Sequence, residues 1–183
     1  MKFPFRRNRL PPARVRVLMV CMGNICRSPM AEGMLRKYLA EREAARGEAL
    51  PVHVDSAGTH GYHAGAAPDA RAKAAAARRG IEIGGLKARQ VTVEDFDVFD
   101  LVVAMDEDNL AALRDLADPD HHRKLRLLLD FAPLATPTRS VPDPYYGGMS
   151  GFERVLDLVE QAMAGLVDEI ERLAESRVEP SAR

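Results

Sequence analysis

The stretch "VRVLMVCMGNICRSPMAE", Val15 to Glu32, opens on an apolar run and closes on the start of an amphipathic segment. Val15–Val20 is almost continuously hydrophobic, the pattern of a strand buried on both faces of a parallel sheet. Met30, Met34, Leu35, Tyr38 and Leu39 then share one helical face, with Ser28 as the expected N-cap and Pro29 at the first helical position. The handover between strand and helix is the informative part. Gly23 and Asn24 tolerate backbone conformations that other residues resist, so successive N–H groups can curl inward as an anion-binding nest. The positive N-terminal end of the helix points at the same place. Arg27 adds a planar fork that can bond two phosphoryl oxygens at once. Cys21, at the base of the nest, sits among positive charge and dipoles that favour its thiolate. A thiolate beneath a bound phosphate is aligned for attack on phosphorus. The lysine of a nucleotide-binding phosphate loop is absent from this turn. The expected phosphate-binding residues are Met22, Gly23, Asn24, Ile25, Cys26, Arg27 and Ser28.

The rest of the chain repeats the alternation that this stretch begins. Val52–Ser56, Val98–Ala104 and Leu125–Leu129 read as further strands. Pro68–Arg79, Asn109–Ala117 and the 3/4-spaced apolar series from Phe152 to Leu173 read as helices. Strands alternating with helices predict a single-domain α/β three-layer sandwich, a four-stranded parallel sheet flanked by helices in the Rossmann-like manner. In such sheets ligands bind at the carboxyl ends of the strands, where "CMGNICRS" lies. The Pro/Gly-rich stretch Thr136–Ser150 reads as a long loop, of a length that is commonly functional.

Composition narrows the classes. The chain has 183 residues, 46% hydrophobic and 29% charged, which suits one domain at 14–175 with disordered tails at 1–13 and 176–183. No apolar run reaches the ~18 residues of a membrane span, so no membrane insertion is expected. The prolines in the basic N-terminus replace the apolar centre of an export signal. Two cysteines, Cys21 and Cys26, are too few for a disulfide scaffold and suit a reducing cytoplasm. His/Cys spacing for a metal is missing, and neither metal nor other cofactor is expected. Seven basic residues precede the first acidic one, Glu32, so an anion nearing the turn meets a locally positive field. Nucleic-acid binding is not expected, because basic and aromatic residues do not interleave.

C-x5-R-S on a first βα turn, written CMGNICRS, resembles the low-molecular-weight protein tyrosine phosphatase family. "DSAGT" (Asp55–Thr59), "ARQV" (Ala88–Val91), "AMDEDN" (Ala104–Asn109) and "DPYYG" (Asp143–Gly147) follow in the family's order. The resemblance runs from about Val15 to Leu173. It departs at Gly84-Gly85-Leu86-Lys87, where many relatives place a histidine in the hydrogen-bond network behind the loop.

The resemblance implies in-line attack by Cys21, with Asp143 protonating the leaving oxygen and later acting as base for water. Arg27 and the loop N–H groups stabilise the phosphoryl oxygens. Ser28 favours departure of the Cys21 sulfur, and Asn24 holds the loop shape. Tyr62, Tyr145 and Tyr146 form walls for a phenyl ring, a slot suited to phosphotyrosine and too deep for phosphoserine. Ile25 goes with phosphotyrosine preference, where protein arginine phosphatases carry threonine. Cys26 has two readings, a small residue packed under the loop or the partner of Cys21 in a reversible protective disulfide. A phosphotyrosine protein is the implied substrate, an autophosphorylating tyrosine kinase if the chain is bacterial, and a monomer is the expected state.

An arsenate reductase of this fold passes oxidation to further cysteines, which residues 27–183 lack. A non-catalytic phosphate- or phosphotyrosine-binding module has no need for Cys21 and Asp143 together. Asp106 reads as a helix cap, Asp69 and Arg71 as structural, and His60, His63, His121 and His122 as surface residues.

Overall fold

The computed structural model describes residues 13–177, so most of both expected tails lies outside the described residues. The chain runs β1 (Val15–Cys21), α1 (Arg27–Arg46), β2 (Val52–Gly58), α2 (Ala70–Arg78), α3 (Asp95–Val98), β3 (Leu101–Ala104), α4 (Glu107–Leu116), β4 (Leu125–Leu127) and α5 (Met149–Glu175). Short 3-10 turns flank β4, at Pro119–Lys124 and Leu128–Phe131.

All three strand pairings are parallel and the order is β2-β1-β3-β4, the expected four-stranded sheet. The apolar character of β1 follows from its central place. Val15, Val17, Met19 and Cys21 face a core shared with α1, α2 and α5. Leu18 and Val20 face a second core built around Phe96, Phe99, Leu110 and Leu113. Each fully buried side chain of this size contributes about 1.5–3 kcal/mol of hydrophobic stabilisation. Helix α5 lies close on the turn after β4, because at Gly165 a Cβ would stand 2.2 Å from the Phe131 carbonyl oxygen.

Two of the strands are shorter than the sequence reading. The apolar run from Val98 is not all strand: Asp95–Val98 forms a helical turn, and β3 begins only at Leu101. Asp95 accounts for this by accepting from the Thr92 backbone N–H at 2.9 Å, which nucleates the turn. β4 ends at Leu127, and Leu128 and Leu129 coil into the 3-10 turn.

From β1 the chain crosses to β2 on one side, then to β3 on the other. The carboxyl end of β1 is thus the topological switch point, where parallel sheets open a crevice for ligands.

Candidate active site

Only Met22–Cys26 separates β1 from α1, and this loop curls around the Cys21 sulfur. Asn24 has a φ of 57°, a left-handed conformation that asparagine adopts more readily than most residues. Its backbone N–H donates to Cys21 Sγ at 3.3 Å, and Ser28 Oγ lies 3.0 Å from the same sulfur. Ser28 does not cap the helix. Cys26 occupies the N-cap position without a side-chain bond. The Ser28 hydroxyl is turned into the loop instead, accepting from Asn24 Nδ2 at 2.9 Å, and its one proton can go to Cys21 Sγ or to the Ala57 carbonyl at 3.3 Å.

Behind the loop, Asn24 uses three of its four side-chain bonds. Nδ2 donates to Ser28 Oγ and to Ser56 Oγ at 2.9 Å each, and Oδ1 accepts from the Arg89 backbone N–H at 2.9 Å. The network therefore closes without a histidine, and Leu86 packs against the core. Ser56 passes the chain on, donating to Glu32 Oε2 at 2.6 Å, and Arg36 reaches the other oxygen at 2.6 Å. Burial pushes the Glu32 carboxyl above its usual range, and the bonds from Ser56 and Arg36 only partly offset this. The end of β2 backs the loop so closely that a Cβ at Gly58 would stand 2.6 Å from the Met22 carbonyl oxygen. These supports come from three separate segments, α1, β2 and the stretch around Arg89.

Arg27 is buried, with two carboxylates on it. Nη2 donates to Asp143 Oδ2 at 2.9 Å, Nη1 pairs with Asp106 Oδ2, and Nη1 also donates to the Val141 carbonyl at 3.1 Å. Burial works against the guanidinium charge, but the Cys21 sulfur, Asp106 and Asp143 outweigh it and hold Arg27 above its ordinary value. Asp106 does cap α4, its Oδ1 accepting from the Asn109 N–H at 2.7 Å. Its second oxygen aims Arg27, a role that sequence reading missed. Pairing an acidic residue just past the carboxyl end of β3 with the arginine that opens the helix after the neighbouring strand β1 was the available signal.

Cys21, Met22, Gly23, Ile25, Cys26 and Arg27 line a cavity of about 320 Å³, walled by Tyr62 and His63 on one side and Asp143, Tyr145 and Tyr146 on the other. The three aromatic residues expected there are present. Tyr146 meets Tyr145 edge-on at 5.0 Å between centroids, and Tyr62 stacks on His60 at 5.1 Å. Asn24 and Ser28 support the loop from behind and do not line the cavity. His63 is not a bland surface residue, since its ring packs so near Gly23 that a Cβ there would stand 2.9 Å from it. His121 also has partners, lying 3.3 Å from Asp97 and stacked over Phe96. Cys26 is free and buried, and burial, reinforced by Asp69, pushes its thiol up to about 12.

Among the described residues no group of three His, Cys, Asp or Glu side chains is arranged to hold a metal ion, and no helix is long and apolar enough to cross a membrane.

Comparison with known proteins gives a consistent result. The family model described as low molecular weight phosphotyrosine protein phosphatase matches residues 16–177. A low molecular weight protein-tyrosine-phosphatase of Streptomyces coelicolor is 44% identical over 164 residues, covering 88% of this chain and 97% of the relative. The crystal structure of a protein tyrosine phosphatase from Entamoeba histolytica, with Hepes in its active site, superposes with a TM-score of 0.80 at 37% identity, covering 86% of this chain and 97% of that one. Vibrio vulnificus Wzb in complex with benzylphosphonate superposes at 0.71 with 26% identity, covering 85% and 98%.

Proposed function

The chain belongs to the low molecular weight phosphotyrosine protein phosphatase family, and on that footing we propose that it hydrolyses phosphotyrosine in proteins through a phosphocysteine intermediate. One observation carries the reading: Arg27 Nη2 meets Asp143 Oδ2 at 2.9 Å across 116 residues of sequence. Loop, guanidinium and carboxyl thereby converge on the cavity that holds Cys21.

The incoming phosphate competes with Asp143 for Arg27 and seats its equatorial oxygens on the guanidinium and the loop N–H groups. Cys21 Sγ attacks phosphorus in line. The P–O bond breaks, and the departing phenolic oxygen takes the Asp143 proton. Water then attacks the phosphocysteine, Asp143 takes a proton from it, and the sulfur leaves as a thiolate stabilised by Ser28 Oγ and the Asn24 N–H. Tyr62, Tyr145 and Tyr146 flank the phenyl ring, and Ile25 favours phosphotyrosine over phosphoarginine. The binding of benzylphosphonate, an aryl-bearing phosphonate, by a structural neighbour supports a slot of this kind. No step requires a metal. The phosphatase domain at 14–175 acts as a cytoplasmic monomer, and its protein substrate is an autophosphorylating tyrosine kinase if the chain is bacterial.

Phosphate release from matched phosphotyrosine, phosphoserine and phosphoarginine peptides in EDTA tests this, with Cys21→Ser as control. Tyrosine-selective turnover, lost in the variant, is expected. Arginine-selective turnover overturns the Ile25 assignment. A folded, reduced protein that binds phosphate without turning it over is a binding module.

Cys26 is the proposed resolving thiol. After peroxide converts Cys21 to a sulfenic acid, the Cys26 thiol condenses with it, forming the disulfide and releasing water. Dithiothreitol is then expected to restore peroxide-treated wild type but not Cys26→Ser. Equal recovery of the two removes the role.

A further inference from the structure

The carboxyl of Asp143 has two anchors: Arg27 Nη2 at 2.9 Å, and the Tyr145 backbone N–H, which reaches its Oδ1 at 3.0 Å. An incoming phosphate shares that guanidinium and competes with the first. The second belongs to the same turn as Asp143 and cannot fix where that turn sits. On the N-terminal side the turn is fastened through Val141, whose carbonyl accepts from Arg27 and whose N–H donates to the Met105 carbonyl at 2.8 Å. On the C-terminal side the fastening comes from α2. Arg71 Nη1 donates to the Tyr145 carbonyl at 3.0 Å and to the Gly147 carbonyl at 3.2 Å.

Arg71 is itself locked in place. Its Nε and Nη2 meet the two oxygens of Asp69 at 3.0 and 2.9 Å, a fork-on-carboxylate pair. Its guanidinium lies 4.8 Å from the ring centroid of buried Phe152. Asp69 in turn is fastened to the phosphate loop, its backbone N–H donating to the Ile25 carbonyl at 2.8 Å. A continuous path therefore runs from the phosphate loop through Asp69 and Arg71 to the two residues beyond Asp143.

We propose that Arg71 is a positioning residue for the reaction, holding the Asp143 loop over the phosphate loop once substrate competes with Asp143 for Arg27. The inference rests on Asp143 being the acid. It assigns Arg71 no contact with substrate. A lysine in its place has three donors at one point, too few for the two Asp69 oxygens and both carbonyls together.

The test is kcat/KM for a series of aryl phosphates of rising leaving-group pKa, with the inhibition constant of vanadate as the measure of the phosphate loop. Protonation matters most for the worst leaving groups. Arg71→Met is therefore expected to lose about 10–100-fold on phenyl phosphate, less than roughly 3-fold on 2,4-dinitrophenyl phosphate, and less than about 2-fold in vanadate affinity. Arg71→Lys should fall between Arg71→Met and wild type. Thermal unfolding of each variant shows that it is folded. A uniform loss across the series, a parallel loss of vanadate affinity, or no loss overturns the proposal. Asp143→Asn on the same series separates the two assignments. If it steepens the leaving-group dependence and Arg71→Met does not, only the Arg71 inference falls. If Asp143→Asn does not steepen it, the acid assignment falls and takes Arg71 with it.

Discussion

The phosphate loop and the loop carrying Asp143 meet over one cavity, yet they are built in opposite ways. In the first, Asn24 and Ser28 are 2% and 0% exposed with their polar atoms matched from β2, α1 and the Arg89 segment, and Arg27, 3% exposed, is held by Asp106, Val141 and Asp143. In the second, Asp143 is exposed, Tyr146 is 97% exposed, and the position rests on a few bonds to Arg27 and Arg71. The difference follows from what each must do. A group that stabilises charge through the whole reaction works best when fixed beforehand, because no reorganisation is then needed. A group that gives a proton and takes one back must meet the leaving oxygen and then water, so it stands at the open side.

The largest effect that tests this contrast is Asp143→Asn. It should lower kcat/KM on phenyl phosphate by about 10²–10⁴. The amide still accepts from Arg27, so vanadate affinity should hold and stability should change by less than about 1 kcal/mol. Measured together by kinetics, inhibition and thermal unfolding, a comparable loss of vanadate affinity would show that the two loops are one binding unit and end the comparison.

Asn24→Ala should do the reverse. It removes all three side-chain bonds, strands buried partners and leaves alanine at a φ of 57°. A loss of about 2–4 kcal/mol of stability is expected, with weaker vanadate binding. Unchanged stability in denaturant titration would mean that the loop keeps its shape without this network.

The same contrast explains what could be read from the sequence. β1, the turn and α1 are contiguous, so strand pattern, anion nest and nucleophile all appear in eighteen residues. The sheet was legible because β1 must be apolar on both faces. What stayed hidden depends on distant parts of the chain meeting in space. Asp106 looks like a cap and is one, but its second oxygen aims Arg27 from 79 residues away. Ser28 has the sequence context of a cap, and only the nearness of Cys21 and Asn24 turns its hydroxyl inward. His63 gave no signal, since its importance comes from lying against Gly23. Asp143 is an ordinary turn residue until the family resemblance supplies its role.

The smallest effect concerns Glu32, the far end of the network behind the phosphate loop. The loop carrying Asp143 has no buried counterpart. Burial raises the Glu32 pKa in the folded protein above the ~4.3 of an exposed glutamate. Between those two values the folded chain keeps a proton that the unfolded chain has released. The stability from this group is therefore fully present below about 4.3 and is lost as pH rises through the folded value. Glu32→Gln cannot titrate. It should be less stable than wild type near pH 4, where the protonated acid still makes its bonds, and the gap in Tm should narrow toward pH 7. Comparing the two proteins at each pH cancels every other titrating group. A gap that stays constant, or widens as pH rises, would mean that the bonds from Ser56 and Arg36 outweigh burial and that Glu32 is held as a carboxylate.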